Sequence, residues 1–150
     1  MSQDNVEIVR TLQPSSGVDL VEVFEGGRFK QVPAFADPRG LFDPDFESSF
    51  IAGESAGSTT LSYRGVQGFV EGWREWLAAW ESYRLETEDF IDRGDKVVVT
   101  VRARARTRRG GVEMQHAPAA VWTLDNGRVV RIEFYLDRAE ALKVAGLEQR

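Results

Sequence analysis

Few side chains of this sequence can carry a proton near neutrality: His116 is its one histidine, and it has no cysteine. An imidazole titrates near ~6.5, so His116 is the first choice for a general acid or base, or for a polar anchor of a ligand. Strand alternation puts it in phase with Pro118, Ala120, Trp122 and Leu124, the apolar side. The plainer alternative is a hydrogen-bonded histidine in a mostly apolar wall. Pro118 signals an edge or a bulge, and a bulge would shift that phase. Asp89, in Thr87-Glu88-Asp89-Phe90, is in phase with Leu85 and Ile91. Facing inward, it would orient His116; facing outward, it meets solvent or an arginine. Tyr63, Ser48 and Thr87 add hydroxyls. No His/Asp/Glu grouping has metal-ligand spacing, and no glycine-rich loop leads from a strand into a helix. Neither a metal nor any other cofactor is expected.

Arg102, Arg104 and Arg106 alternate and are followed by Arg108-Arg109. They allow three placements. A nucleic-acid stripe would need interleaved aromatics and a basic chain; the formal net charge is −5. Inward-facing arginines would grip an organic anion. The preferred placement is the outer face of a sheet, with Val97, Val99, Val101, Ala103 and Ala105 inside. Glu86, Glu88, Glu113, Arg131 and Glu133 then share the outer face.

The elements that position these groups are clearest in the last third of the sequence. Asn126-Gly127 makes a tight hairpin turn between the run 121–124 and the run 129–135. Beyond it Val130, Ile132, Phe134 and Leu136 alternate with Arg131, Glu133 and Tyr135, the pattern of a half-buried strand. Asp137 caps a short helix that Gly146 stops. Runs 96–107 and 112–124 read as strands joined by Arg108-Arg109-Gly110-Gly111, and run 84–92 precedes them as another. Upstream, 5–12 and 18–24 read as short helices. Residues 28–45 read as helical pieces and turns, 46–51 as a short strand and 53–60 as a loop. The main helix is expected over 66–83, where Phe69, Trp73, Trp76 and Trp80 recur at helical steps. That stripe is first of all core, with Trp73 and Trp76 partly lining a cavity.

The length of 150 residues fits one domain. With no cysteine there is no disulfide framework. No leader-like segment and no membrane-length apolar run is evident, so a cytoplasmic protein with no membrane or nucleic-acid partner is expected. Helices followed by antiparallel strands read as α+β, with helices packed on one face of a curved antiparallel sheet. The space between the two layers is where a small organic molecule would bind.

This order, with particular residues, resembles the SnoaL-like family of the NTF2-like superfamily. The segments that carry the resemblance are Phe42-Asp43-Pro44-Asp45-Phe46, Tyr63-Arg64-Gly65, Phe90-Ile91-Asp92-Arg93-Gly94-Asp95, Val121-Trp122-Thr123-Leu124 and Phe134-Tyr135-Leu136-Asp137-Arg138. The resemblance implies a single cone-shaped domain over 1–150 and a homodimer through the outer sheet face. It does not choose a reaction, because the superfamily includes isomerases, cyclases, hydrolases and proteins without chemistry. The two acids of ketosteroid isomerases fall near Ser48 and Ala120, neither of which is a carboxylic acid. Of the Asp-Arg-Asp set of limonene-epoxide hydrolases only Arg102 matches; the aspartates fall on Arg104 and Phe134. A histidine common before the Val-Trp pair is Ala120 here. The expectation is therefore a mostly apolar pocket walled by Tyr63, Trp73, Trp76, Trp122, Ile132 and Phe134. His116 and Asp89 are its candidate acid/base pair. The alternatives are a non-catalytic binding or interaction module and an organic-anion pocket at Arg102 and Arg104.

Overall fold

The computed structural model describes residues 2–37, 39–51 and 60–146. The loop read over 53–60 lies almost wholly outside the described residues. The elements run α1 (Ser2–Thr11), α2 (Leu20–Gly26), a 3-10 turn (Phe29–Gln31), α3 (Pro33–Ala36), β1 (Phe42–Ile51), β2 (Thr60–Arg64), α4 (Gly65–Leu77), β3 (Trp80–Arg93), β4 (Lys96–Thr107), β5 (Glu113–His116), β6 (Ala119–Asp125), β7 (Arg128–Tyr135) and α5 (Arg138–Val144). The α+β architecture is as expected. The sheet is mixed: β1 runs parallel to β7 within the order β2-β1-β7-β6-β4-β3, and β5 pairs with β4 beside this path.

Local chemistry explains most boundaries. Asn126 and Gly127 both take positive φ, 51° and 77°, which the tight β6–β7 turn requires. Asp37, at φ 43°, closes α3 and receives the Leu41 N–H on its carboxylate, turning the chain into β1. Asp137 caps α5 by accepting from the Ala139 N–H.

The helix expected over 66–83 ends at Leu77, and Trp80 and Tyr83 belong to β3. The register of β3 on β4 shifts between Trp80 and Ser82. A bulge at that point brings Trp80 and Tyr83, three residues apart, into ring contact at 5.5 Å on one face. A bulged strand thus imitates helical spacing. The run 112–124 also divides. Pro118 has no N–H to give, and there β4 changes partner from β5 to β6.

The concave face of the sheet carries Val97, Val99, Ala103, Trp122 and Ile132, all buried, and packs on α1, α2 and α4. A second, smaller core (Val98, Ala119, Val121 and Tyr135) packs under α5 on the other face. Among the described residues no helix is long and apolar enough to cross a membrane.

Candidate functional site

A cavity of about 150 Å³ opens at the wide end of the curved sheet, where α4 lies over the ends of β1 and β7. Trp73 and Trp76 form its roof, Phe50 and Phe134 one wall, and Tyr83 and Leu85 the other. Ile51, Leu61, Pro118, Tyr135 and Leu136 complete the mouth. The rings interlock. Phe134 stacks on Phe50 at 5.0 Å and 16° and meets Trp73 edge-on at 5.3 Å. An apolar space of this size holds a benzene-sized ring, and the open mouth leaves room for a second one.

Gly72 keeps that roof low. A Cβ there would stand 2.6 Å from Phe50 Cε2 and 2.9 Å from two Tyr63 ring carbons. Gly72→Ala gains about 1 kcal/mol of helix propensity and loses about 1–3 kcal/mol to overpacking. The expected result in urea unfolding is a net loss of about 1 kcal/mol. A gain would show that the rings yield freely.

Two tyrosines border the cavity: Tyr135, at the mouth, donates its hydroxyl to Glu133 at 3.0 Å, and Tyr83 lies in the wall. Tyr83 is 2% exposed, and its Oη lies 2.8 Å from His116 Nε2. The Trp76 ring stands edge-on to the Tyr83 ring, 6.1 Å between centroids. When the phenol donates to His116 Nε2, Nδ1 carries the imidazole proton. Burial pushes the Tyr83 phenol up to about 12, so it stays protonated at neutral pH. Burial also lowers the His116 pKa, favouring neutral imidazole.

This second shift has a sign that can be tested. Above the ordinary histidine value of 6.5 both folded and unfolded chains hold neutral imidazole. As pH falls below it, the unfolded chain takes up a proton that the folded chain resists. The contribution is complete above that value and is lost as pH falls toward the folded pKa. Urea midpoints measured between about pH 7.5 and 5.5 should therefore drop more for the wild type than for His116→Gln. Equal slopes would contradict the burial of the imidazole.

The expected site residues divide. Trp73, Trp76 and Phe134 border the cavity. Trp122 and Ile132 lie deeper, 3% and 0% exposed, in the packed core. Their phase is inward as expected, but the rings of Phe42 and Phe69 occupy the space above them. The Trp122 Nε1 and the buried Ser48 Oγ have no hydrogen-bond partner among the described residues. Tyr63 points away from the cavity and donates to Glu75, which raises its pKa to about 12. Arg64 ties its strand to β1 through Glu47 at 3.6 Å. His116 keeps the inward phase across the Pro118 break, opposite Ala103 as Ala120 is opposite Val99. It reaches the cavity only through Tyr83.

Asp89 does not orient His116. The register of β3 shifts between Thr87 and Asp89, which reverses the facing of the strand. Asp89 is exposed, opposite Thr100, and its backbone N–H donates to the Thr100 hydroxyl. Thr87, opposite Val101, lies before the shift and is half-buried. Arg102, Arg104 and Arg106 stand on the outer face and are exposed. Arg102 pairs with Glu88 at 3.0 Å, and Arg106 reaches Glu81 and Glu113 at 3.5 and 3.9 Å. Among the described residues no arginine borders the cavity.

Tyr83 was missed as a site residue because its segment read as helix. The alternation of Tyr83, Leu85 and Thr87 with Arg84 and Glu86 was the available signal.

The sequence matches the SnoaL-like domain family over residues 17–132. No curated protein sequence matches it. Among solved structures, a putative SnoaL-like polyketide cyclase from Jannaschia sp. CCS1 is similar at TM-score 0.63 and 17% identity, over 99% of this chain and 95% of that one. An NTF2-like protein of unknown function from Burkholderia pseudomallei gives 0.59 and 20%, over 95% and 97%. TerC co-crystallised with polyporic acid gives 0.59 and 20%, over 95% and 98%. Likenesses at such identities concern the fold. The family match covers well over half of the chain, and the protein belongs to the SnoaL-like domain family.

Proposed function

We propose that this protein binds a small, flat, mostly apolar molecule in the cavity under α4, with one polar group of the ligand at the Tyr83 hydroxyl. The observation that carries this reading is a ring-lined cavity with a buried phenol in its wall that is anchored to an imidazole. Aromatic walls favour a flat ligand through stacking and edge contacts, and a single polar group fixes its orientation. Among the described residues no carboxylate borders the cavity. The reading is one of binding, and the Tyr83–His116 pair is the group in the wall best placed to exchange a proton with a ligand.

The test uses 2-naphthol, which has two fused rings and one hydroxyl. Tryptophan quenching should saturate with a Kd on the order of 0.1 mM, as a ligand of this size allows. Trp76→Ala should weaken binding about tenfold by removing one face of the cavity. Polyporic acid, with which a protein of similar fold was co-crystallised, serves as a second probe. Absence of saturable quenching by either compound, in folded protein, contradicts the reading.

A further inference from the structure

Tyr83 and His116 face different spaces. Tyr83 borders the apolar cavity. His116 does not; it borders a separate depression at the sheet edge with Glu86, Arg102, Arg104 and Gln115. The 2.8 Å hydrogen bond between them joins the two. The crossing lies where β4 leaves β5 and takes up β6, with the Val101 N–H given to the Pro118 carbonyl. The layer there is one phenol and one imidazole thick.

On the reading of the cavity as a ligand site, we propose that Tyr83 and His116 form a proton relay between a hydroxyl-bearing ligand in the cavity and solvent at the sheet edge. The ligand O–H bond breaks, and its proton passes to Tyr83 Oη. The phenol's own proton passes to His116 Nε2. The proton on Nδ1 leaves to water in the outer depression, which Glu86 also borders. The ligand is left as its oxyanion, and both side chains are neutral again, with the imidazole in its other tautomer. The order of groups suits transfer without storage. A phenol held at high pKa does not keep a charge, so it passes a proton only if a base behind it accepts one. A half-buried imidazole, whose pKa burial lowers, does not keep the added proton either. His116 acts through Tyr83 and is a positioning and relay residue; Tyr83 is the group that touches the ligand.

The experiment again uses 2-naphthol, whose hydroxyl becomes strongly acidic in its excited state. Bound probe is excited beyond the tryptophan absorption. It emits as neutral naphthol unless a base takes the proton within the excited lifetime, and otherwise as naphtholate at longer wavelength. The relay predicts naphtholate emission from probe bound to the wild type. It predicts a severalfold smaller naphtholate share in Tyr83→Phe and in His116→Gln, the latter keeping a hydrogen-bonding side chain that cannot carry a proton. Circular dichroism checks that both variants are folded, and titration checks that both still bind. Naphtholate emission unchanged in both variants means that water in the mouth takes the proton, and the relay is overturned. Neutral emission alone from probe bound to the wild type also overturns the relay and leaves the pocket standing. Failure of the wild type to bind the probe overturns the pocket, and the relay with it.

Discussion

Asp19→Ala is expected to cost the fold about 3 kcal/mol, read as a lower urea midpoint at unchanged slope. Asp19 is a polar side chain in the core, 5% exposed. One carboxylate oxygen accepts two backbone N–H groups, Val21 and Tyr83, each at 3.0 Å. The first bond caps α2 and the second fixes β3 beside it. Removing the acceptor leaves two buried donors without partners, at about 1–3 kcal/mol each. Helix-cap losses of about 1 kcal/mol are part of the same sum. Arg84, whose guanidinium also donates to the Gly17 carbonyl, stands 3.9 Å from the other carboxylate oxygen. It would lose its countercharge. Asp19→Asn separates these effects. It keeps an acceptor for both N–H groups and loses only the charge, so it should cost about 1 kcal/mol, within the range of a half-exposed ion pair. Equal losses for the two variants would contradict this division. The same bond locates the Tyr83 backbone, so Asp19→Ala should also weaken 2-naphthol binding.

Phe134→Ala is the second large effect, and it reaches stability and binding together. Its ring stacks on Phe50 at 5.0 Å and on Phe69 at 6.0 Å, and meets Trp73 at 5.3 Å. Truncating a buried phenylalanine costs about 3–5 kcal/mol; the half-buried Phe134, which borders the cavity, belongs at about 2–3 kcal/mol. The missing ring opens the cavity toward Phe69 and removes a stacking wall, so 2-naphthol should bind about tenfold more weakly. Phe134→Leu, which fills much of the volume without a flat face, should recover more stability than affinity. Unchanged affinity in Phe134→Ala would place the ligand elsewhere.

The cone was legible because its signals are local. The Asn126-Gly127 turn, the Asp137 cap and the alternation of Ile132 and Phe134 with Arg131 and Glu133 need no tertiary partner. The outer placement of Arg102 and Arg106 followed from alternation and a supply of glutamates. The site was only partly legible. Trp73, Trp76 and Phe134 were found because helix and strand phase give facing directly. Trp122 and Ile132 face the same way but lie too deep, and depth depends on how Phe42 and Phe69 fill the cone. The facing of Asp89 stayed open and Tyr83 was missed for one physical reason. Bulges at the start and in the middle of β3 reset the alternation, and a bulge is set by pairing with β4 rather than by the residues of β3 alone. The parallel pairing of β1 with β7 joins segments more than 80 residues apart and leaves no local mark.

The most direct measurement is a crystal structure of the protein soaked with 2-naphthol. The account predicts the fused rings between Trp76 and Phe134, with the naphthol oxygen within hydrogen-bond distance of Tyr83 Oη. Probe bound at another place, with the ring-lined cavity left empty, would contradict it.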